Sequence, residues 1–161
     1  CNGFQALVKS GLLPYGNFEE VVETSPTLFY NDANQHVAKM VETRIANVNS
    51  PWLSGVQVGD IHAIPVSHGE GKFVVTDEEF EVLRNNGQIF SQYVDFTGQP
   101  SMDSKYNPNG SYHAIEGITS ANGQIIGKMG HSERYETGLF QNIPGNKDQG
   151  LFASAVRYFT E

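Results

Sequence analysis

The hydrophobic and polar positions along the chain predict three helices. Apolar residues recur at helical spacing in residues 2–13. A second helix is predicted over 76–87, where Thr76 is a suitable N-cap and a glutamate follows three residues later. A third helix, over 150–159, is predicted to close the chain.

Segments rich in β-branched and aromatic residues predict strands, and turn residues separate them. Strands are predicted over 39–48, 61–67 and 89–96. Residues 113–131 predict a β-hairpin with Asn122-Gly123 at its turn. Strands mixed with helices indicate an α/β fold.

Size and charge exclude several classes of protein. The 161 residues are the usual length of one domain, and 39% of them are hydrophobic, which is enough to build a core. The net charge of −8 argues against nucleic acid or an anionic membrane as the main partner, since phosphates require clustered cations. A single cysteine excludes a disulfide within the chain.

That cysteine, Cys1, is the first candidate for chemistry. It is either a small buried hydrophobe or a nucleophile. The small Asn2-Gly3 pair suits a tight turn into a helix, and a helix N-terminus favours the thiolate. A nucleophile elbow also has a glycine two residues earlier, a position outside this sequence.

A thiol nucleophile needs a base, and the base needs an orienting acceptor. His131 follows an apolar run that predicts a strand, and Glu133 lies two residues later, so both side chains could face one pocket. An H-x-E sequence also occurs by chance, and both interpretations stay open on spacing alone.

The other histidines give weaker signals. Residues 68–71, HGEG, form either a ligand-binding turn or a plain turn with a solvated glutamate. His36, His62 and His113 lack metal-ligand spacing and are interpreted as structural or surface residues. No metal site is expected.

Several motifs in order resemble a known family. Residues 1–5, CNGFQ, resemble the nucleophile elbow of class I glutamine amidotransferases, whose pattern is G-x-C-x-G-x-Q. Three later segments resemble the glutaminase domain of phosphoribosylformylglycinamidine synthase: SHGEGKF (67–73), NPNGS (107–111) and GKMGHSERYE (127–136). Residues 139–159 suggest the long fused form of that enzyme, in which the glutaminase comes last.

The resemblance implies a fold and a set of roles. The fold would be α/β, class I glutamine amidotransferase-like with a flavodoxin-like three-layer arrangement, truncated at its nucleophile elbow; residues 1–161 would be the C-terminal portion of one glutaminase domain. Cys1 would be the nucleophile, His131 the general base and acid, and Glu133 its orienting carboxylate. The glutamine pocket would be lined by matching segments: Gln5, Ser67, His68 and Gly69.

Two departures from the family are visible. Ser132 stands where the family usually has proline, and the triad is expected to survive because proline supplies only backbone stiffness there. The Gly-rich loop that supplies the oxyanion hole precedes the elbow in this family and is not among these residues. The isolated chain is therefore expected to be inactive, since the hole needs backbone N–H donors.

By resemblance, the chain would hydrolyse L-glutamine and supply ammonia to an ATP-dependent synthetase, fused or separate. That synthetase makes formylglycinamidine ribonucleotide in de novo purine biosynthesis. No cofactor is expected in this chain; ATP and magnesium would bind to the synthetase domain. A cytoplasmic location, no membrane partner, and self-association through the truncated sheet edge are also expected.

Two alternatives stay open. An N-terminal-nucleophile (class II) amidotransferase would use the α-amine of Cys1 as its base and would make His131 and Glu133 dispensable. That family begins with a strand, which fits the predicted first helix poorly. Alternatively, the chain is a non-catalytic folded part or a binding surface for the synthetase.

Overall fold

A computed structural model describes residues 1–160 as two antiparallel sheets with helices around them. The strands are β1 (Thr27–Tyr30), β2 (Val37–Ile45), β3 (Ile61–His68), β4 (Glu70–Val74), β5 (Ile89–Tyr93), β6 (Ile115–Thr119) and β7 (Ile126–Lys128). The helices are α1 (Asn2–Lys9), the single turn α2 (Leu12–Tyr15), α3 (Asp77–Asn85) and α4 (Leu151–Thr160). Short 3₁₀ turns lie at Pro51–Leu53, Tyr112–Ala114 and Ser132–Arg134.

The larger sheet has five strands in the order β3-β2-β5-β6-β7, and β1 pairs with β4 separately. The predicted α/β class is confirmed. However, all strand pairs within residues 1–160 are antiparallel, and the isolated bridge between His62 and Asn146 is parallel. The parallel neighbours of a flavodoxin-like sheet are therefore not formed by these strands. A parallel pair needs a long crossover, whereas β6 returns directly into β7 as a hairpin.

The predicted first helix is shorter than expected. α1 ends at Lys9 because Gly11 adopts a left-handed backbone, with φ of 80°. A side chain at Gly11 would meet the backbone of Glu19 at 2.6 Å, so this position requires glycine. The chain then makes the separate turn α2.

The other predicted elements are largely confirmed, and two strands were missed. Thr76 is the N-cap of α3, since its hydroxyl accepts from the amide of Glu79 at 3.2 Å. β1 was not predicted, and β4 begins inside the segment 68–71 that was interpreted as a turn. Each of these strands pairs with a distant segment, Thr27 opposite Val74, which a local pattern cannot reveal.

The main hydrophobic core joins α1 to both sheets. It contains apolar side chains from α1, β1, β4 and β6 and from the residue after β7, including Phe4, Val8, Leu28, Phe73, Ile115, Ile118 and Met129. Cys1 packs against the edge of this cluster. Burial of the apolar face of α1 therefore brings the first residue of the sequence to β7.

None of the helices in residues 1–160 is long and apolar enough to cross a membrane. The self-association expected at an exposed sheet edge stays a prediction.

The N-cap of α3 gives a test of the fold. We expect Thr76→Ala to lower the free energy of unfolding by about 1 kcal/mol, because the amide of Glu79 loses its acceptor. Thr76→Ser keeps the hydroxyl and should stay within about 0.5 kcal/mol of the wild type. Urea denaturation monitored by circular dichroism measures both, and equal losses in the two variants would show that the cap contributes nothing.

Candidate active site

Cys1 lies at the N-terminus of α1, held from two sides. As the N-cap residue, its carbonyl accepts from the amide of Gln5 at 3.0 Å. Its backbone nitrogen donates to the carbonyl of Lys128 at 3.1 Å. The side chain of this half-buried residue is thus placed between a helix N-terminus and the end of β7, where the helix dipole favours a thiolate.

His131 and Glu133 form a directed pair just after β7. The Nδ1 of His131 lies 2.6 Å from Oε1 of Glu133. The backbone amide of His131 donates to the carbonyl of Pro65 at 2.8 Å, which ties this turn to β3. Among the described residues, the buried Nε2 of His131 has no hydrogen-bond partner. This nitrogen is therefore available to exchange a proton with a group in the cavity that His131 lines.

The ionisation of Glu133 suits that arrangement. Partial burial acts to raise the pKa of its carboxyl, but hydrogen bonds from His131 and the backbone outweigh burial, and the pKa lies below its ordinary value. Glu133 is therefore a carboxylate at neutral pH. A carboxylate on Nδ1 holds the proton there and leaves the Nε2 lone pair available as a base.

A cavity of about 650 Å³ brings these groups to one wall. Its lining includes Cys1, His131 and Glu133 together with Ser67 and Lys128. The three predicted catalytic side chains, which lie far apart in sequence, thus surround one space large enough for an amino-acid side chain.

The four residues predicted to bind glutamine do not all line this cavity. Ser67 lines the cavity, and its hydroxyl lies 3.0 Å from Nε2 of His36. Gln5 lies outside the cavity lining and donates its side-chain amide to Glu70 at 3.0 Å.

His68 and Gly69 also lie outside the lining. The ring of His68 is 1% exposed and packs against Gly71, where an added Cβ would come within 2.9 Å of it. The carbonyl of Gly69 accepts from the amide of Asn31 at 3.0 Å. Of the predicted pocket segment, only Ser67 faces the same space as Cys1.

The three remaining histidines are structural or surface residues, and His36 is exposed. His62 is buried in β3, and burial lowers the pKa of its imidazole. His113 stacks on Phe80 with ring centroids 3.6 Å apart. Among residues 1–160, no group of three or more His, Cys, Asp or Glu side chains is placed to hold a metal ion.

Sequence reasoning missed the polar residues behind the site. Lys128 lines the cavity, and Glu116 is fully buried beside it, with 3.5 Å between Nζ and Oε1. The available signal was one charge in each of two otherwise apolar strand segments, IEGIT and IIGKM. Buried charges are paired as a rule, so the two segments could have been paired on that ground.

Comparison with known proteins identifies the family. The family model described as a CobB/CobQ-like glutamine amidotransferase domain matches residues 1–159. The chain belongs to this glutamine amidotransferase family. Its helical start at Asn2 and this membership both disfavour the N-terminal-nucleophile alternative.

This chain has curated relatives with the same name. It is 37% identical over 134 residues to phosphoribosylformylglycinamidine synthase subunit PurQ of Thermomicrobium roseum, covering 83% of this chain and 51% of that protein. It is 34% identical over 158 residues to the PurQ subunit of Salinibacter ruber, covering 98% and 60%. The chain thus spans between half and two thirds of the length of these relatives.

A solved structure has a similar fold. The structure of PurLQS from Thermotoga maritima matches 98% of this chain and 59% of the other chain, with a TM-score of 0.68 and 25% identity. These relatives are named as subunits; the expected fused form stays a prediction.

The buried His68 of this chain predicts a pH dependence of stability. Burial is the main cause that lowers its pKa to about 4; the N-terminal ammonium and two nearby imidazoles add to this effect, and a backbone hydrogen bond opposes it. Between that pH and about 6.5, the unfolded chain binds a proton that the folded chain refuses, so stability falls as the pH falls. Lowering the pH from 7 to 5 should cost about 2 kcal/mol through this group.

Urea denaturation of the wild type and His68→Gln at both pH values measures this contribution. The variant lacks the titrating ring and should lose about 2 kcal/mol less than the wild type on acidification. An identical loss in both proteins would show that His68 binds its proton in the folded state as readily as in the unfolded state.

Proposed function

We propose that this chain supplies the Cys1–His131–Glu133 site of a glutaminase that hydrolyses L-glutamine to glutamate and ammonia. One observation carries the proposal: Cys1, at the start of a helix, and the His131–Glu133 pair, with Nε2 unengaged, line the same cavity. Membership in a glutamine amidotransferase family supports the same chemistry.

The proposed order of steps is that of a thiol nucleophile with a histidine base. The Nε2 of His131 takes the proton of the Cys1 thiol, and the sulfur attacks the side-chain amide carbon of glutamine. His131 then donates that proton to the departing nitrogen, which leaves as ammonia, and a γ-glutamyl thioester remains. Water, deprotonated by the same nitrogen, hydrolyses the thioester to glutamate and restores the thiol. Glu133 keeps the Nδ1 proton in place and stabilises the imidazolium that forms after each transfer.

The oxyanion of each tetrahedral intermediate needs fixed N–H donors near the Cys1 sulfur. The resemblance assigns these donors to a loop that precedes the elbow. We therefore retain the expectation that residues 1–161 alone are inactive. The parts of Gln5, Ser67, His68 and Gly69 in glutamine binding also stay proposals, with Ser67 best placed.

The use of the ammonia is proposed from the relatives. They are named as subunits of phosphoribosylformylglycinamidine synthase, and the solved relative is titled as a PurLQS structure. We propose that the ammonia passes to an ATP-dependent synthetase, which binds the ATP and magnesium and makes formylglycinamidine ribonucleotide in purine biosynthesis. A cytoplasmic location follows from that role as part of the same proposal.

Removing the nucleophile or the base tests the proposed reaction. In the full-length protein with its synthetase, Cys1→Ala and His131→Ala should each lower glutamine-dependent synthesis by roughly 10³-fold or more. Synthesis from added ammonium should persist, because it bypasses the glutaminase site. Steady-state assays with glutamine and with ammonium measure both activities.

A histidine outside the cavity is the matched control. His113→Asn tolerates the left-handed backbone at that position, where φ is 53°, and should leave glutamine use unchanged. Full glutamine-dependent activity in Cys1→Ala would refute the thiol mechanism and leave the non-catalytic alternative.

Glu133 should matter less than the other two groups. Its side chain is 56% exposed, so solvent screens its charge. Glu133→Gln should lower kcat for glutamine by roughly 10- to 100-fold, with the activity from ammonium unchanged. The exposed Glu136→Gln is the control, and an equal effect of the two substitutions would argue against a role for the His131–Glu133 pair.

A further inference from the structure

The turn that carries His131 is anchored at three consecutive residues. The amide of Gly130 donates to Oε1 of Glu116 at 2.6 Å. The amide of His131 donates to the carbonyl of Pro65 at 2.8 Å. The hydroxyl of Ser132 lies 2.8 Å from Nζ of Lys128. The imidazole thus projects from a backbone that is fixed before, at and after its own position.

Two of these anchors belong to one buried charge pair. Glu116 in β6 is fully buried, and the side chain of Lys128 in β7 is 10% exposed. Their Nζ and Oε1 atoms lie 3.5 Å apart. Burial lowers the pKa of Lys128, and the carboxylate of Glu116 acts against that shift, so the two charges depend on each other.

Lys128 also connects the pair to the surface of the cavity. Its ammonium donates to Oε1 of Gln149 at 2.8 Å as well as to Ser132. The hydroxyl of Ser132 donates to the same Gln149 oxygen. Lys128 and Ser132 both line the cavity, whereas Glu116 and Gln149 lie behind it.

Ser132 is the position where the sequence departs from its family pattern. It is the first residue of the 3₁₀ turn Ser132–Arg134, a position at which proline would fix the backbone without losing a helical hydrogen bond. In this chain the Ser132 hydroxyl accepts a hydrogen bond from Lys128 and donates one to Gln149, and both bonds restrain the same backbone. These side-chain hydrogen bonds thus restrain the backbone at position 132, where the family pattern has the ring of a proline.

Resting on the proposed function, we propose that Lys128 is a positioning residue, which with Glu116 and Ser132 holds the 130–132 turn so that His131 faces Cys1. Glu116 fixes the residue before the histidine and Lys128 fixes the residue after it. The network acts on the reaction through His131 and not through contact with glutamine.

Substitutions along the network should lower kcat more than they change KM. In the full-length protein with its synthetase, Lys128→Met should lower kcat for glutamine by on the order of 10²-fold, because a small displacement of the base is costly. Ser132→Ala should lower it by about tenfold, and KM should stay within about twofold in both. Ser132→Pro should restore most of the kcat lost in Ser132→Ala, since it stiffens the turn without any hydroxyl.

Lys128→Met leaves the carboxylate of Glu116 buried and unpaired, which threatens folding. The double variant Glu116→Gln, Lys128→Met removes both charges and should fold while keeping the loss of kcat. The matched control is Lys72→Met, which removes another lysine paired with a carboxylate, Asp32, outside the cavity lining, and should leave kcat unchanged.

Alkylation of Cys1 by iodoacetamide, followed over pH by mass spectrometry of its peptide, gives a second readout. A well-placed His131 should keep the midpoint of this profile low, and Ser132→Ala and the double variant should shift it upward toward that of His131→Ala. Thermal unfolding measures stability separately.

The outcomes are distinct. A lower melting temperature with unchanged kcat and alkylation profile would overturn the proposal, because the network would then only stabilise the fold. A raised KM with unchanged kcat would also overturn it, because Lys128 would then bind substrate. Failure of Ser132→Pro to recover activity would contradict restraint of the turn. If Cys1→Ala retained full glutamine use, the proposed function would fail instead, whatever the alkylation profiles showed.

Discussion

A buried pair of opposite charges constrains the part of the fold around the candidate active site. Neither Glu116 nor Lys128 can lose its partner without leaving a charge in an apolar interior, where solvation is poor. The pair therefore favours the observed register of β6 and β7, in which Gly117 lies opposite Lys128. Glu116 also binds the amide of Gly130, and the carbonyl of Lys128 binds the nitrogen of Cys1. The proposed nucleophile, Cys1, and the turn that carries the proposed base, His131, are thus both hydrogen-bonded to this pair.

The hydrophobic core determines the remaining part of the geometry. α1 buries Phe4 and Val8 against the sheets, and this packing places the N-terminus of the helix beside the end of β7. β3 contributes the carbonyl of Pro65 to the His131 turn and Ser67 to the cavity. Three segments far apart in sequence meet here because each has one apolar face to bury.

The residues proposed to react with the substrate and the residues that hold them in place occupy different parts of the site. Cys1, His131 and Glu133 line the cavity, where their side chains can reach a substrate. The network behind them contains Glu116 and Gln149, which are almost completely shielded from solvent. Low solvent access strengthens hydrogen bonds and reduces motion of the turn, and a base that exchanges protons repeatedly needs both.

The sequence by itself determined the helices α1, α3 and α4, the β6–β7 hairpin and the identity of the candidate triad. These rest on local signals: helical spacing, the Thr76 cap, the Asn122-Gly123 turn and ordered motifs around Cys1 and His131. The family match confirms the resemblance that those motifs carried.

Only the tertiary structure decided the strand pairing and the support of the site. β1 and β4 stabilise each other although their paired residues lie 40 to 47 positions apart in sequence, and the strands described within residues 1–160 pair in antiparallel order. The tertiary structure also showed that Ser67 lines the cavity whereas its neighbour His68 is buried away from it, because successive residues of a strand face opposite sides of the sheet. The Glu116–Lys128 pair depends on the register between β6 and β7, which neither strand shows by itself.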